Sequence, residues 1–259
     1  MNHSFRSFIP MSFALLIVLA IPCRLWAFAA VGGFAAAGIY ADSDDGQSPT
    51  LIVTADFNRD GIADVAQIVR TDGVRTGPGF LQILFGQKNG SYRSDVHLAM
   101  LKSDPQSMVA GDFNGDGNPD LLIGGGDGSV TELLGDGKGN LMPAVVVAHV
   151  GSAVSIAVGD FNRDGVPDIA VSDFRANAVT ILLGSGKGAF TTKWSFALPK
   201  RGTVYYLAAG DFNYDGAPDL AITSDEDGMF VVMLGNGNGT FTYAPELSHI
   251  RDPRSYCPT

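Results

Sequence analysis

The sequence predicts an all-β protein built from four copies of a four-stranded unit, and three observations carry that expectation. The nine-residue pattern D-F-N-x-D-G-x-x-D starts at Asp56, Asp112, Asp160 and Asp211, and a strict pattern recurring at a period of about 50 residues marks an internal repeat. Each copy is flanked by short apolar runs that end in glycine-rich turns. The composition, 33 Gly and 13 Pro with only 17% charged residues, suits short strands and tight turns better than long helices.

The third copy shows the parts of the unit most clearly. Ser155-Ile156-Ala157-Val158-Gly159 is an apolar run entering the loop, and Ile169-Ala170-Val171 leaves it. Val179 to Leu183 forms a third run and ends in Gly184-Ser185-Gly186-Lys187-Gly188. From Phe190 to Leu198, Trp194, Phe196 and Leu198 alternate with Lys193, Ser195 and Ala197, the period of a half-exposed strand. The turn after the third run recurs at Leu84-Phe85-Gly86, at Leu133 to Gly137 and at Met233 to Gly237. The fourth strand then opens with Tyr92, Leu141, Phe190 or Phe241. Inner strands apolar on both faces and an alternating outer strand fit sheets stacked face to face with one edge in water. Four-stranded units repeated in this way are the sequence sign of a β-propeller. Its blades are expected at 51–100, 106–150, 153–200 and 204–248, together spanning 51–248.

The flanks read differently. Residues 1–29 have the form of a secretory signal peptide: Arg6, an apolar run from Phe8 to Pro22, and Ala27-Phe28-Ala29 as a cleavage site. The run is shorter than the roughly 20 residues that span a bilayer. The expected product is therefore secreted or extracytoplasmic, and not membrane-spanning once the signal is cleaved. Residues 30–50 read as a linker, with 31–40 a possible edge strand, and 249–259 as a C-terminal tail. Cys23 and Cys257 give neither a disulfide framework nor a metal-binding spacing.

The stretches Val109 to Asp120 and Ile181 to Phe190 resemble the FG-GAP, or VCBS-type, repeat, which also builds the propeller of integrin α subunits. The resemblance covers roughly residues 51–247 and implies a calcium-carrying propeller. Integrin-type propellers have more blades than the four supplied here. Either a four-bladed ring closes, or the array needs a partner or a second copy, making a homo-oligomer one expectation.

The loops carry the chemistry. Calcium takes six to eight oxygen ligands in a flexible cage. A loop of this form offers side-chain oxygens at positions 1, 3 and 5, a backbone carbonyl at 7 and a carboxylate at 9. These are Asp56, Asn58, Asp60, Ile62 and Asp64 in the first copy, and Asp112, Asn114, Asp116, Asn118 and Asp120 in the second. They are Asp160, Asn162, Asp164, Val166 and Asp168 in the third, and Asp211, Asn213, Asp215, Ala217 and Asp219 in the fourth. Up to four Ca2+ ions are thus expected. The net charge is −10, and apart from the twelve loop aspartates the chain is nearly neutral. An all-oxygen set argues against zinc or copper. An EF-hand would need Glu at position 12, where Gln67, Ile123, Val171 and Ile222 stand. The Phe after the first aspartate (57, 113, 161, 212) reads as core packing that anchors the loop. Pro119, Pro167 and Pro218 stiffen the exit, where the first copy has Ala63.

Other signals are weaker. The Gly-rich turns lack the order of a phosphate loop, and His97, His149 and His249 fall singly. No nucleophile elbow or zinc-hydrolase helix is visible, and no basic surface suggests nucleic acid. The expectation is a non-catalytic binding or adhesion module, not an enzyme, with carbohydrate or a cell-surface or extracellular protein as partner. A purely structural or assembly role and a polysaccharide-acting enzyme are the rivals.

Overall fold

The computed structural model describes residues 48–70, 79–101, 104–198, 204–224 and 230–244, all within the unit Ala36–Thr259. The segments expected to be signal and tail, the edge strand considered at 31–40, both cysteines and His249 lie outside the described residues. Among the described residues there are sixteen strands and no helix, so none long and apolar enough to cross a membrane.

The strands form four antiparallel sheets in simple chain order. The first sheet holds β1 (Ser48–Ala55), β2 (Asp64–Arg70), β3 (Gly79–Gly86) and β4 (Tyr92–Leu101). The second holds β5 (Pro105–Gly111), β6 (Asp120–Gly125), β7 (Ser129–Leu133) and β8 (Val145–His149). The third holds β9 (Ala153–Gly159), β10 (Asp168–Asp173), β11 (Ala178–Gly184) and β12 (Phe190–Ala197). The fourth holds β13 (Val204–Gly210), β14 (Asp219–Ser224), β15 (Phe230–Gly235) and β16 (Phe241–Tyr243). Each D-F-N-x-D-G-x-x-D loop joins the first and second strands of its sheet.

Two boundaries differ from the sequence reading. β1 already begins at Ser48, inside the stretch expected to be linker, because Ser48 pairs with Arg70 and Pro49 with Val69 before the register shifts. Leu141, expected to open a fourth strand, makes only an isolated bridge to Gly135, and β8 starts at Val145. Pro143 lies between them and has no N–H to give the ladder.

The second strands show why the repeat folds as it does. β6 and β10 are buried along their whole length, whereas β12 and β8 face solvent over much of theirs. A strand covered on both faces must be apolar throughout, and an outer strand alternates. The first strands of successive sheets meet in series: β1 with β5, β5 with β9, β9 with β13. The apolar cores lie at these junctions. One gathers Phe57, Ile68, Leu81, Ile83, Met108 and Leu121 from sheets one and two. A second gathers Phe113, Leu122, Ile156, Ile169 and Leu182 from sheets two and three. A third gathers Phe161, Ile181, Leu220, Ile222, Met233 and Phe241 from sheets three and four. A sheet here cannot bury its faces alone, and stacking on its neighbour supplies the core.

One residue breaks the pattern. Glu132 occupies the position in β7 that Ile83, Ile181 and Val232 fill in the other sheets. It is 4% exposed and its Oε1 has no hydrogen-bond partner. Burial, aided by the charge of Asp120, pushes its carboxyl up to about 7. The folded protein thus holds a proton that the unfolded chain releases at the ordinary glutamate value of 4.5. Stability therefore falls as pH rises between these values, and the penalty is complete above them. Glu132→Ile is expected to stabilise the protein by on the order of 3 kcal/mol at pH 8 and by clearly less near pH 5, as read from urea melts at the two values.

Candidate cation loops

The four loops are superimposable in their hydrogen bonds, and the pattern follows from short polar side chains that cap their own backbone. In the first, Asp56 Oδ1 accepts from the Asp60 N–H at 3.0 Å and Oδ2 from the Gly61 N–H at 2.8 Å. Asn58 Oδ1 accepts from the Asp60 N–H at 3.0 Å, and its Nδ2 donates to Asp60 Oδ2 at 3.0 Å. Asp60 Oδ1 accepts from the Ile62 N–H at 2.8 Å. Asp112, Asn114 and Asp116 repeat the set, as do Asp160, Asn162 and Asp164. So do Asp211, Asn213 and Asp215. The backbone reaches this shape through a left-handed residue at position 6, with φ of 84° at Gly61 and 85° at Gly165, where glycine costs least.

The ninth position plays a part that the sequence reading did not foresee. Asp64, Asp120, Asp168 and Asp219 are fully buried. In each, one carboxylate oxygen accepts from the N–H of the loop phenylalanine, at 2.9, 2.9, 2.9 and 2.8 Å. The other accepts from a glycine at the end of the third strand, or two residues past it in the second sheet: Gly86, Gly135, Gly184 or Gly235, at 2.8 to 2.9 Å. The carboxylate thus ties the loop to the hairpin of its own sheet. That glycine is required, because a Cβ there would run into the carbonyl of loop position 8, the residue that is Pro119, Pro167 or Pro218 in three copies.

Burial dominates the electrostatics of Asp64, Asp120 and Asp168. It pushes Asp120 up to about 6, against the pull of the Gly135 and Phe113 N–H groups and with the charges of Asp116 and Asp112 adding to the push. Asp168 is likewise raised to about 6, burial outweighing the Gly184 and Asn162 N–H groups, and Asp64 is raised for the same reason.

The carboxylates of a loop are thus near enough to act on one another. Among the described residues, however, no group of three or more His, Cys, Asp or Glu side chains is arranged to hold a metal ion. Positions 1, 3 and 5 lie on the outer side of the loop, bonded to one another, and position 9 lies beneath them. The donor type suits a hard cation: each carboxylate oxygen that accepts one N–H keeps a second acceptor site.

Position 4 was also missed. Arg59 in the first loop reaches Asn118 Oδ1 of the second at 3.2 Å, and Arg163 in the third reaches the Asp215 carbonyl of the fourth at 2.9 Å. Both have positive φ, 57° and 60°. Their variable identity within the repeat hid them. The loop phenylalanines behave as expected in three copies: Phe57, Phe113 and Phe161 are buried in the junction cores. Phe212 differs, at 47% exposed, because no fifth sheet follows among the described residues.

Asp168→Ala is expected to cost about 3 kcal/mol or more, since it strands the buried N–H groups of Phe161 and Gly184. The loss should be similar in calcium and in chelator, as read from thermal melts in both.

Residues 112–171 and 170–222 match the model of the FG-GAP-like repeat. The matched span opens on the first aspartate of the second loop and closes three residues after the last aspartate of the fourth. The first loop lies outside it, yet carries the same hydrogen bonds. No curated protein matches the chain. Sequence pattern, sheet architecture and family match agree that residues 112–222 carry FG-GAP-type repeats.

Proposed function

We propose that this chain is a secreted, calcium-binding, non-catalytic module of propeller type that binds carbohydrate or an extracellular protein. The observation that carries the reading is the fourfold recurrence of one loop, with the same aspartates, asparagine and glycine in the same hydrogen-bonded frame at the same place in each sheet. Asp160, Asn162, Asp164 and the Val166 carbonyl would hold the ion in the third copy, with Asp168 behind them, and the corresponding residues in the others. A bound divalent cation would neutralise crowded carboxylates, each unit pair of which at about 4 Å costs roughly 4 kcal/mol at an effective dielectric of 20.

The protein's own part is structural. The loop frame fixes the first strand to the second, so an ion that binds only the folded loop adds its binding free energy to stability. All four loops join corresponding strands, which puts them on corresponding ends of the sheets and leaves the opposite ends for ligand contact. Repeat surfaces of this sort are used for recognition. A non-catalytic role is supported by the match to a repeat family and by the absence of a recognisable nucleophile or acid–base motif in the sequence.

Asp164→Ala is expected to lower the melting temperature in calcium and to change it little in chelator, because Asp164 is exposed and its contacts are local. Equal losses in both conditions would remove the ion from the third loop. The ligand is tested by placing the full chain on an array of glycans and polysaccharides, with calcium and with chelator in parallel. Calcium-dependent binding to one sugar class is the expected result. Binding to none of them by a folded, calcium-loaded protein would overturn the carbohydrate reading in favour of a protein partner.

A further inference from the structure

The junctions between sheets are made by one repeated contact. The carbonyl of Phe57 accepts from the N–H of Gly139 at 3.0 Å, that of Phe113 from Gly188 at 3.2 Å, and that of Phe161 from Gly239 at 2.9 Å. In each case the loop of one sheet meets the turn between the third and fourth strands of the next. The three rings are no more than 2% exposed. The fourth sheet carries the acceptor half of this contact, the loop phenylalanine: Phe212 is 47% exposed and Tyr214, two residues on, 81%.

The turns of the second, third and fourth sheets are already engaged, which leaves the turn Gly86–Tyr92 of the first. It shares the closing bond and the last glycine of their frame, but its third residue is Lys88 where the other turns have a glycine at φ 67°. Gln87 N–H donates to the Ser91 carbonyl at 2.9 Å, as Ser185 does to Ala189 and Asn236 to Thr240, each also at 2.9 Å. Gly90 has φ of 80°, the value found at Gly239. Its N–H, however, turns back to the Gln87 carbonyl at 2.8 Å. Within one chain, then, the exposed Phe212 and the first turn do not meet, and each is the complement of the other.

We propose that the fourth sheet of one copy docks on the first sheet of a second copy through this repeated contact. Phe212 enters the position that Phe57, Phe113 and Phe161 fill at the internal junctions, and its carbonyl takes the Gly90 N–H. The flanking positions can be paired in the same way. A Cβ at Gly137 would lie 2.9 Å from Arg59, and one at Gly237 3.0 Å from Arg163, so position 4 of a loop faces the third residue of the next turn. At the junction between copies these positions are Tyr214 and Lys88, both exposed; Lys88 brings a side chain where the internal turns have glycine, so Tyr214 must move aside there, and its aromatic face can then take the ammonium. The contact is heterologous: it closes a ring if the rotation allows and otherwise propagates.

Sedimentation of the full chain over a range of micromolar concentrations is expected to show a dimer or a larger species. Phe212→Asp should return it to monomer with an unchanged far-UV circular dichroism spectrum. A parent that stays monomeric, or an oligomer indifferent to Phe212→Asp, would overturn the proposal. A second measurement does not depend on that variant. In a Cys23→Ser, Cys257→Ser background, Lys88→Cys and Tyr214→Cys chains are mixed and oxidised. A disulfide joining the two different variants is expected in excess over either self-pair, and its absence would contradict the assignment.

Discussion

The structure depends on a phenylalanine lent by each sheet to the core it shares with the next. Phe57, Phe113 and Phe161 are buried in those cores, and each is held by a fully buried aspartate through its own N–H. The apolar ring supplies the burial that a four-stranded sheet lacks by itself, a term of roughly 2–3 kcal/mol for a large side chain. The aspartate fixes the loop so that the ring arrives in register with the following sheet. The hydrogen bond from the next turn's glycine to the phenylalanine carbonyl closes the contact. Core and loop are thus one device, repeated.

This coupling joins an acidic surface loop to the apolar cores of the array. Positions 1, 3 and 5 form the exposed part and position 9 the buried part of the same nine residues. Whatever shifts the charge on the outer aspartates acts on the inner one, as the influence of Asp116 and Asp112 on Asp120 shows. Glu132 illustrates the cost of departing from the pattern: a carboxyl at an apolar position of the shared core, under the turn of the following sheet, with an oxygen left unpaired.

Much of this was legible in the sequence, because the signals were repeated and local. Four copies of a nine-residue loop, with strands such as Ile169-Ala170-Val171 on one side and Ser155 to Gly159 on the other, give the four-stranded unit and its order. The phenylalanine's burial followed from its fixed place. What could not be read was relational. Asp168 looks the same in sequence whether it faces an ion or the N–H groups of Phe161 and Gly184. Arg59 and Arg163 vary within the repeat and reach a neighbouring loop, so no pattern marks them. Phe212 stands at the same place in the same motif as Phe161, and the absence of a following sheet among the described residues separates them. Leu141 matched the start of a strand, but Pro143 interrupts its ladder.

The claim that the loops are calcium sites is tested most directly by calorimetric titration of calcium into chelator-stripped protein, with a melting curve recorded at each end point. The account predicts saturable binding with a stoichiometry above one and no more than the four loops present, and a rise in melting temperature as the sites fill. A protein that stays folded, takes up no calcium at millimolar concentration and melts at the same temperature throughout would contradict it, and the acidic loops would then be hydrogen-bonded turns alone.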